Sequence, residues 1–248
     1  MTKKPRAVLL DELRGLMILN VVAFHLCYDL VYLFGVPMPW FYTPYAYYWQ
    51  QWMAGSLIFF AGISCRYARS NQKRGVQTLL WGLLLTAVSL VILPGQPIFF
   101  GILHFMGAAM LLFDLLHPLL DKLSPMAGLW AGMALHLLTR GVPYGFVGLG
   151  PFSLALPPAI YQSRWLFPLG LPYPGFAAAD YFPLLPWLFL FFAGAYLGVP
   201  MRQGRLPGWV YTSHLPWLAW LGRKTLVIYL LHQPILFGIL WVLFGYIL

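Results

Sequence analysis

Charge is what this sequence has least of: 8% of its 248 residues are Asp, Glu, Lys or Arg, where a soluble domain carries about 25%. With 61% hydrophobic residues beside that shortage, a soluble globular protein is excluded. Cysteine is nearly missing. Cys27 and Cys65 each sit inside an apolar run, which excludes a disulfide framework and leaves a zinc ion too few ligands. There is no Walker-type glycine loop, no nucleophile-elbow serine and no HExxH helix. No internal repeat of the kind common in transporters is visible. What is abundant points one way. The 18% aromatic content, 24 glycines and 21 prolines exclude a disordered chain, which lacks the apolar surface to offset its ordering entropy. A mean hydropathy of +0.75 leaves an integral membrane protein.

Apolar runs of spanning length cover Leu13 to Phe34, Tyr47 to Cys65, Val76 to Leu93, Ile98 to Leu116, Tyr181 to Val199 and Thr225 to Leu248. Met126 to Leu138 is a shorter seventh. The expected fold is all-α: a polytopic membrane helix bundle of about seven spans, in a single domain over residues 1–248. Basic residues set the orientation. Lys3, Lys4, Arg6, Arg14, the run Arg66, Arg69, Lys73 and Arg74, then Lys122, Arg202, Arg205, Arg223 and Lys224 fall on one side, leaving Arg140 and Arg164 opposite. The N-terminus is therefore expected in the cytoplasm, in a bacterial inner membrane, and the C-terminus outside. The net charge of +9 marks that side and does not imply a nucleic-acid partner. The basic start is expected to lead into a permanent first helix and not to be a cleaved leader, because the apolar stretch after it is too long, is interrupted by Arg14, His25 and Asp29, and lacks a small-residue cleavage site.

Between Arg140 and Asp180 the chain carries seven prolines among aromatics and glycines, from Pro143 to Pro174. That pattern cannot form an ordinary span and predicts an outer, re-entrant cap rich in proline and aromatics. Trp209 to Leu221 reads as a short amphipathic element at the inner interface. His117, His136 and His214, at predicted span ends, read as interfacial anchors. Gly55 and Gly62, seven apart, suit close helix packing, within one chain or in a homo-oligomer.

Polar residues inside the spans are costly and mark function. On a helical wheel at about 100° per residue, Asp11, Arg14, His25, Tyr28, Asp29 and Tyr32 of the first span share one stripe, which is expected to face the interior, away from lipid. His25 lies about 16 Å along the axis from Arg14, with Met17, Ile18, Val21 and Val22 bordering the stretch between. Asp29, one turn beyond His25, is placed to orient its ring and support a proton-accepting role. His104, on the fourth span, is expected at a depth similar to that of His25. Tyr229, His232 and Gln233 fall within one turn of the last span, followed by Pro234, and are expected in the cytoplasmic half, nearer Arg14 than His25. A bis-histidine haem through His25 and His104 has no other support in the sequence. A metal is not expected.

The segment Leu10-Asp11-Glu12-Leu13-Arg14-Gly15-Leu16, running on to Phe24-His25 and Asp29, resembles the opening helix of the heparan-α-glucosaminide N-acetyltransferase catalytic-domain-like family, in its short bacterial members. Phe100-Gly101-Ile102-Leu103-His104-Phe105, Tyr181-Phe182-Pro183-Leu184-Leu185-Pro186-Trp187, and Gly222-Arg223-Lys224-Thr225 leading to Tyr229-Leu230-Leu231-His232-Gln233-Pro234 resemble further motifs of the family. The spacing of Arg14 and His25 is similar to that of the wider transmembrane acyltransferase superfamily. The resemblance implies an enzyme that takes an acyl group from cytosolic acetyl-CoA and passes it to an acceptor on the far side: a hydroxyl or amine of an envelope glycan or lipid-linked sugar. In that reading His25, Asp29 and His104 are catalytic, with His25 as general base or as acyl acceptor. Arg14, Tyr229, His232 and Gln233 bind the coenzyme, Arg14 at a phosphate and the apolar wall along the pantetheine arm. Membrane lipids are the other expected partner. Gly35 to Tyr45 holds no histidine where the larger heparan enzyme has one, so the resemblance carries the chemistry without naming the acceptor. Two other classes use the same stripe: a proton-coupled transporter or flippase, and a non-catalytic scaffold on an acyltransferase fold.

Overall fold

The computed structural model describes residues 6–92 and 94–245. Lys3 and Lys4 of the basic start, Leu93 at the end of the third predicted span, and the last residues of the final span up to Leu248 lie outside the described residues.

Eight α-helices occur among the described residues: α1 (Val8–Tyr32), α2 (Pro44–Cys65), α3 (Asn71–Ile92), α4 (Ile102–Leu120), α5 (Pro125–Thr139), α6 (Leu184–Arg202), α7 (Pro216–Arg223) and α8 (Thr225–Phe244). Seven of them fall on the seven predicted apolar segments, and α7 falls on the predicted amphipathic element. By length and composition five are fit to cross a bilayer: α1, α3, α4, α6 and α8. α5 has 15 residues, about 22 Å of rise against a hydrocarbon core of about 30 Å. The apolar run of α2, though not the helix itself, is interrupted by Gln50 and Gln51. Residues 140–183 hold no α-helix among the described residues. They form short 3-10 turns and one antiparallel hairpin, β1 (Phe146–Val147) with β2 (Leu154–Ala155), in which Phe146 faces Ala155.

The chain divides into two compact units, one of Met1–Leu57 with Met201–Leu248, the other of Ile58–Pro200. In the first unit α1 packs on α7 and α8. The α1–α7 crossing is close because both helices carry a glycine there, the device that lets helix backbones approach in membranes. A Cβ on Gly15 would stand 2.0 Å from the Leu218 carbonyl oxygen, and one on Gly222 would stand 1.8 Å from that of Asp11. α1 begins at Val8, more than a turn before the predicted Leu13. The apolar count stopped at Asp11 and Glu12, but both charges are satisfied inside the fold and both residues are buried. Asp11 takes Arg6 at 2.6 Å. Glu12 Oε1 accepts the backbone N–H groups of His214 and Leu215 at 2.7 and 2.8 Å, so its carboxylate sits at the N-terminus of α7, where free N–H groups and the helix dipole favour an anion. On α7, Leu218 and Ala219 are buried while Trp217 and Trp220 are exposed, the two faces expected of an amphipathic helix.

In the second unit glycines again mark the crossings. Gly62 of α2 meets the Phe191 carbonyl of α6, so this glycine is used within the chain. Gly107 of α4 meets Gly75 and Leu79 of α3. α4 begins at Ile102, four residues after the predicted Ile98. Phe100 is the cause: its φ of 54° lies in the left-handed region, which no helix interior tolerates for a side-chain-bearing residue. α6 likewise starts at Leu184 instead of Tyr181. One further expectation is corrected here. His136 is not an interfacial anchor; it is buried, its Nδ1 3.1 Å from the Pro186 carbonyl, because Gly132 lets α5 lie directly on α6. Arg66, in the basic run after α2, pairs with Asp121 at 2.7 Å, donates to the Ala195 carbonyl at 2.9 Å and lies over the Phe113 ring.

The start of α4 is held by Asp180, whose Oδ2 accepts the Ile102 N–H at 2.9 Å. Burial raises the Asp180 carboxyl from the usual 3.8 to about 6. The folded state therefore holds this proton more tightly than the unfolded chain, and stability falls as pH rises from about 4 through about 6. Asp180→Asn keeps an acceptor for the Ile102 N–H and has no proton to lose. Its melting temperature in detergent is expected to vary less than the wild type's across that window; parallel curves would refute the assignment.

Candidate active site

The polar stripe of α1 is a property of its sequence spacing, and in the first unit it meets the last helix. Asp29 is fully buried. Its partner is not His25, as the one-turn spacing predicts, but Gln233 of α8, whose Nε2 donates to Asp29 Oδ1 at 2.7 Å. The reason is geometric: residues one turn apart on a helix lie side by side, while a residue on a facing helix can point head-on. His25 meets His232 in the same way, ring centroids 4.8 Å apart and 62° between planes. His25 and Asp29 on α1 are thus matched by His232 and Gln233, adjacent residues on α8. Tyr28 and Phe24 flank His25 with edge contacts, and Trp49 of α2 lies on Phe24. The ring of Tyr229 lies 5.4 Å from that of His232.

This corrects the expected depth of the α8 cluster. The sequence puts Tyr229, His232 and Gln233 nearer Arg14 than His25; in the structure His232 and Gln233 pack on His25 and Asp29, some 11 to 15 positions beyond Arg14 along α1. α8 holds Pro234 immediately after them, and a proline leaves the carbonyl four residues earlier without its helical donor.

The hydrogen bonds fix the ring protons. His232 Nδ1 lies 2.6 Å from the Tyr229 carbonyl oxygen. A carbonyl only accepts, so in the neutral ring Nδ1 carries the hydrogen and Nε2 the lone pair. That Nε2 is buried and has no partner, and the same holds for Gln233 Oε1 and Asp29 Oδ2. Three hydrogen-bond acceptors stand without donors on three residues that touch one another or share a turn.

At the other end of the stripe Arg14 is half-buried, 3.9 Å from Asp11. Between Arg14 and His25, Met17, Ile18 and Val21 are buried core residues, with Ile18 wholly covered. Tyr32 is 49% exposed, so the stripe is not covered along its whole length as the wheel predicts.

His104 belongs to the second unit, in the first turn of α4 and not deep within the span. Thr86 gives its hydroxyl hydrogen to the Ile98 carbonyl at 2.7 Å, so its oxygen is the acceptor for His104 Nε2–H at 3.3 Å. Nδ1 then carries the lone pair. It has no partner and faces Gly82, where a Cβ would come within 3.0 Å of it. Among the described residues no group of three or more His, Cys, Asp or Glu is arranged to hold a metal ion.

The spacing argument missed Glu12, Asp180 and Thr86, each of which acts on an element far away in sequence. A signal existed for the first two. An acidic residue in an otherwise apolar chain has to be neutralised, and helix N-termini are the commonest place without a cation.

Long apolar helices that bring together a histidine pair and a carboxyl–amide pair, with His232 and Asp29 buried, define an integral membrane protein with a polar site inside it. Residues 6–234 match the family model described as heparan-alpha-glucosaminide N-acetyltransferase, catalytic, and the chain belongs to that family. The matched region ends at Pro234 and takes in all four motif-bearing segments, including both halves of the His25–His232 contact. No curated protein and no solved structure matches the chain. Family and helices together make this a membrane acetyltransferase-like protein.

Proposed function

We propose that the protein is a transmembrane acyltransferase of the bacterial inner membrane. It takes an acetyl group from cytosolic acetyl-CoA and passes it to a hydroxyl or amine of an extracytoplasmic glycan or lipid-linked sugar. The observation that carries the reading is the meeting of His25 and Asp29 with His232 and Gln233: a buried basic site in a chain of this family. In the transfer step the acceptor's lone pair attacks the thioester carbonyl, a bond from that heteroatom to carbon forms, and the carbon–sulfur bond breaks. The acceptor loses a proton and the coenzyme leaves as a thiol. His25 is the general base or, in a two-step route, the group that carries the acetyl. Arg14, about 16 Å along α1, meets a coenzyme phosphate at the cytoplasmic mouth. The stretch 140–180 forms the outer cap.

The test is transfer from labelled acetyl-CoA supplied to the cytoplasmic face of inverted membrane vesicles, with coenzyme A binding followed in parallel. Label is expected in an envelope glycan or lipid fraction, and coenzyme A is expected to raise the melting temperature, as a ligand of the folded state does. A protein that neither moves label nor responds to coenzyme A is not this enzyme, and the same stripe would then be tested as a proton-coupled transport path.

A further inference from the structure

Buried polar atoms are nearly always hydrogen-bonded, because one left unpaired has lost its water and gained nothing in return. In the first unit three such atoms fall on residues of the α1–α8 contact: Nε2 of His232, Oε1 of Gln233 and Oδ2 of Asp29. His232 is 7% exposed and Asp29 0%. All three atoms are acceptors, and the bonds each residue does make fix which atom is left over. The Tyr229 carbonyl takes His232 Nδ1–H. The Gln233 amide nitrogen is spent on Asp29 Oδ1. Helix packing gains nothing from a cluster of unmatched lone pairs. A ligand that brings donors does complement it, and a glycan or lipid-linked sugar brings them as hydroxyls or amines.

We infer that His232, and not His25, is the base of the transfer step, and that its partner is the reacting O–H or N–H of the acceptor. A second O–H or N–H of the same acceptor is held by Asp29 Oδ2 and Gln233 Oε1, the Asp29–Gln233 pair serving as the positioning element. This inference rests on the acyltransfer reading and moves His232 and Gln233 from the coenzyme to the acceptor. The reacting proton passes to Nε2 of His232 as the acceptor's heteroatom bonds to the acetyl carbon. It passes on to the departing thiolate of coenzyme A, which restores the neutral ring with its hydrogen on Nδ1. If the acetyl group rests first on His25, the same base serves, because the two rings are already in contact at 4.8 Å. The bond broken in that second step is the one from carbon to the His25 nitrogen, and the proton goes to His25.

His232→Gln keeps a polar side chain of similar size and cannot take a proton. The assay is the initial rate of label transfer from saturating acetyl-CoA into the glycan and lipid fraction of inverted vesicles. The rate is expected to fall about 10²–10⁴-fold, with KM for acetyl-CoA within about threefold of wild type. A raised KM with the rate kept would put His232 on the coenzyme and overturn the inference, as would an unchanged rate. A wild type that transfers no label overturns the acyltransfer reading itself, which separates the two failures. Should the variant not fold, ¹⁵N spectroscopy of histidine-labelled wild-type protein in detergent decides the matter. One neutral histidine assigned to position 232 by its loss in His232→Asn, or by specific labelling of the Leu231–His232 pair, is expected to be protonated at Nδ1 and bare at Nε2. The opposite tautomer removes the base.

Discussion

Exchanging His25 for alanine is expected to lower acetyl transfer by at least about 10²-fold while leaving coenzyme A binding intact. The size is that of a lost group on which the transfer step depends, about 10²–10⁴ as for a catalytic base, with His25 acting as the group that carries the acetyl. The preserved binding follows from distance: His25 stands about 16 Å along α1 from Arg14, so the coenzyme's phosphate contact survives its removal. Stability changes little, because the ring is only partly buried and its contacts are edge-on to Phe24, Tyr28 and His232 and not hydrogen bonds in the core. The checks are label transfer in inverted vesicles and the melting-temperature rise on adding coenzyme A. Unchanged transfer would remove His25 from the reaction, and a lost coenzyme response would mean that the substitution had disturbed the binding end as well. Comparison with His232→Gln is informative in its own right. If His25 carries the acetyl group and His232 takes the proton, wild type and His232→Gln both bind label, a chase of unlabelled acceptor releases it from wild type only, and His25→Ala binds none.

Gly15→Ala is expected, like Gly222→Ala across the same helix crossing, to be among the most damaging single methyls that can be added to the first unit. The new Cβ would stand 2.0 Å from the Leu218 carbonyl oxygen and 2.8 Å from its carbon. Both are backbone atoms of α7, so no side chain can swing away and the whole helix has to move. Moving α7 would pull its N-terminus off the Glu12 carboxylate, whose two backbone bonds at 2.7 and 2.8 Å would be lost with it. Overpacking of a well-packed site costs about 1–3 kcal/mol, and the loss of a charged helix cap about another 1 kcal/mol. Gly238→Ala on α8 is the control. Nothing lies within 4 Å of the Cβ it would add, and alanine is the better helix former by about 1 kcal/mol. Thermal unfolding followed by tryptophan fluorescence in detergent should show Gly15→Ala well below wild type and Gly238→Ala at or above it. Equal melting of Gly15→Ala and wild type would show that α1 and α7 do not cross as closely as described.

Much of this molecule was legible in its residues, and the parts that were not have one cause in common. The scarcity of charge and the length of the apolar runs marked a membrane protein, since hydrocarbon admits little else. Each of the seven apolar segments holds an α-helix among the described residues, and the amphipathic one became α7 with Leu218 buried and its tryptophans exposed. The motifs on four segments placed the chain in its family. The spacing of Arg14, His25 and Asp29 put them on one face of α1, because helical periodicity is a local rule that holds before anything packs. Local rules also misled. They paired Asp29 with His25 across one turn, ran α4 back to Ile98, and left His136 at an interface.

What tertiary structure decided were the encounters. Gln233 reaches Asp29 across 204 positions, Glu12 reaches Leu215 across 203, and Asp180 reaches Ile102 across 78. No spacing rule specifies such pairs. They depend on which glycines let helices close to backbone contact, on where a left-handed residue such as Phe100 stops a helix, and on the need of each buried charge for a partner. Sequence alone determined that polar groups would line one face of α1; the packing of α8 against that face chose their partners and left three lone pairs unmet.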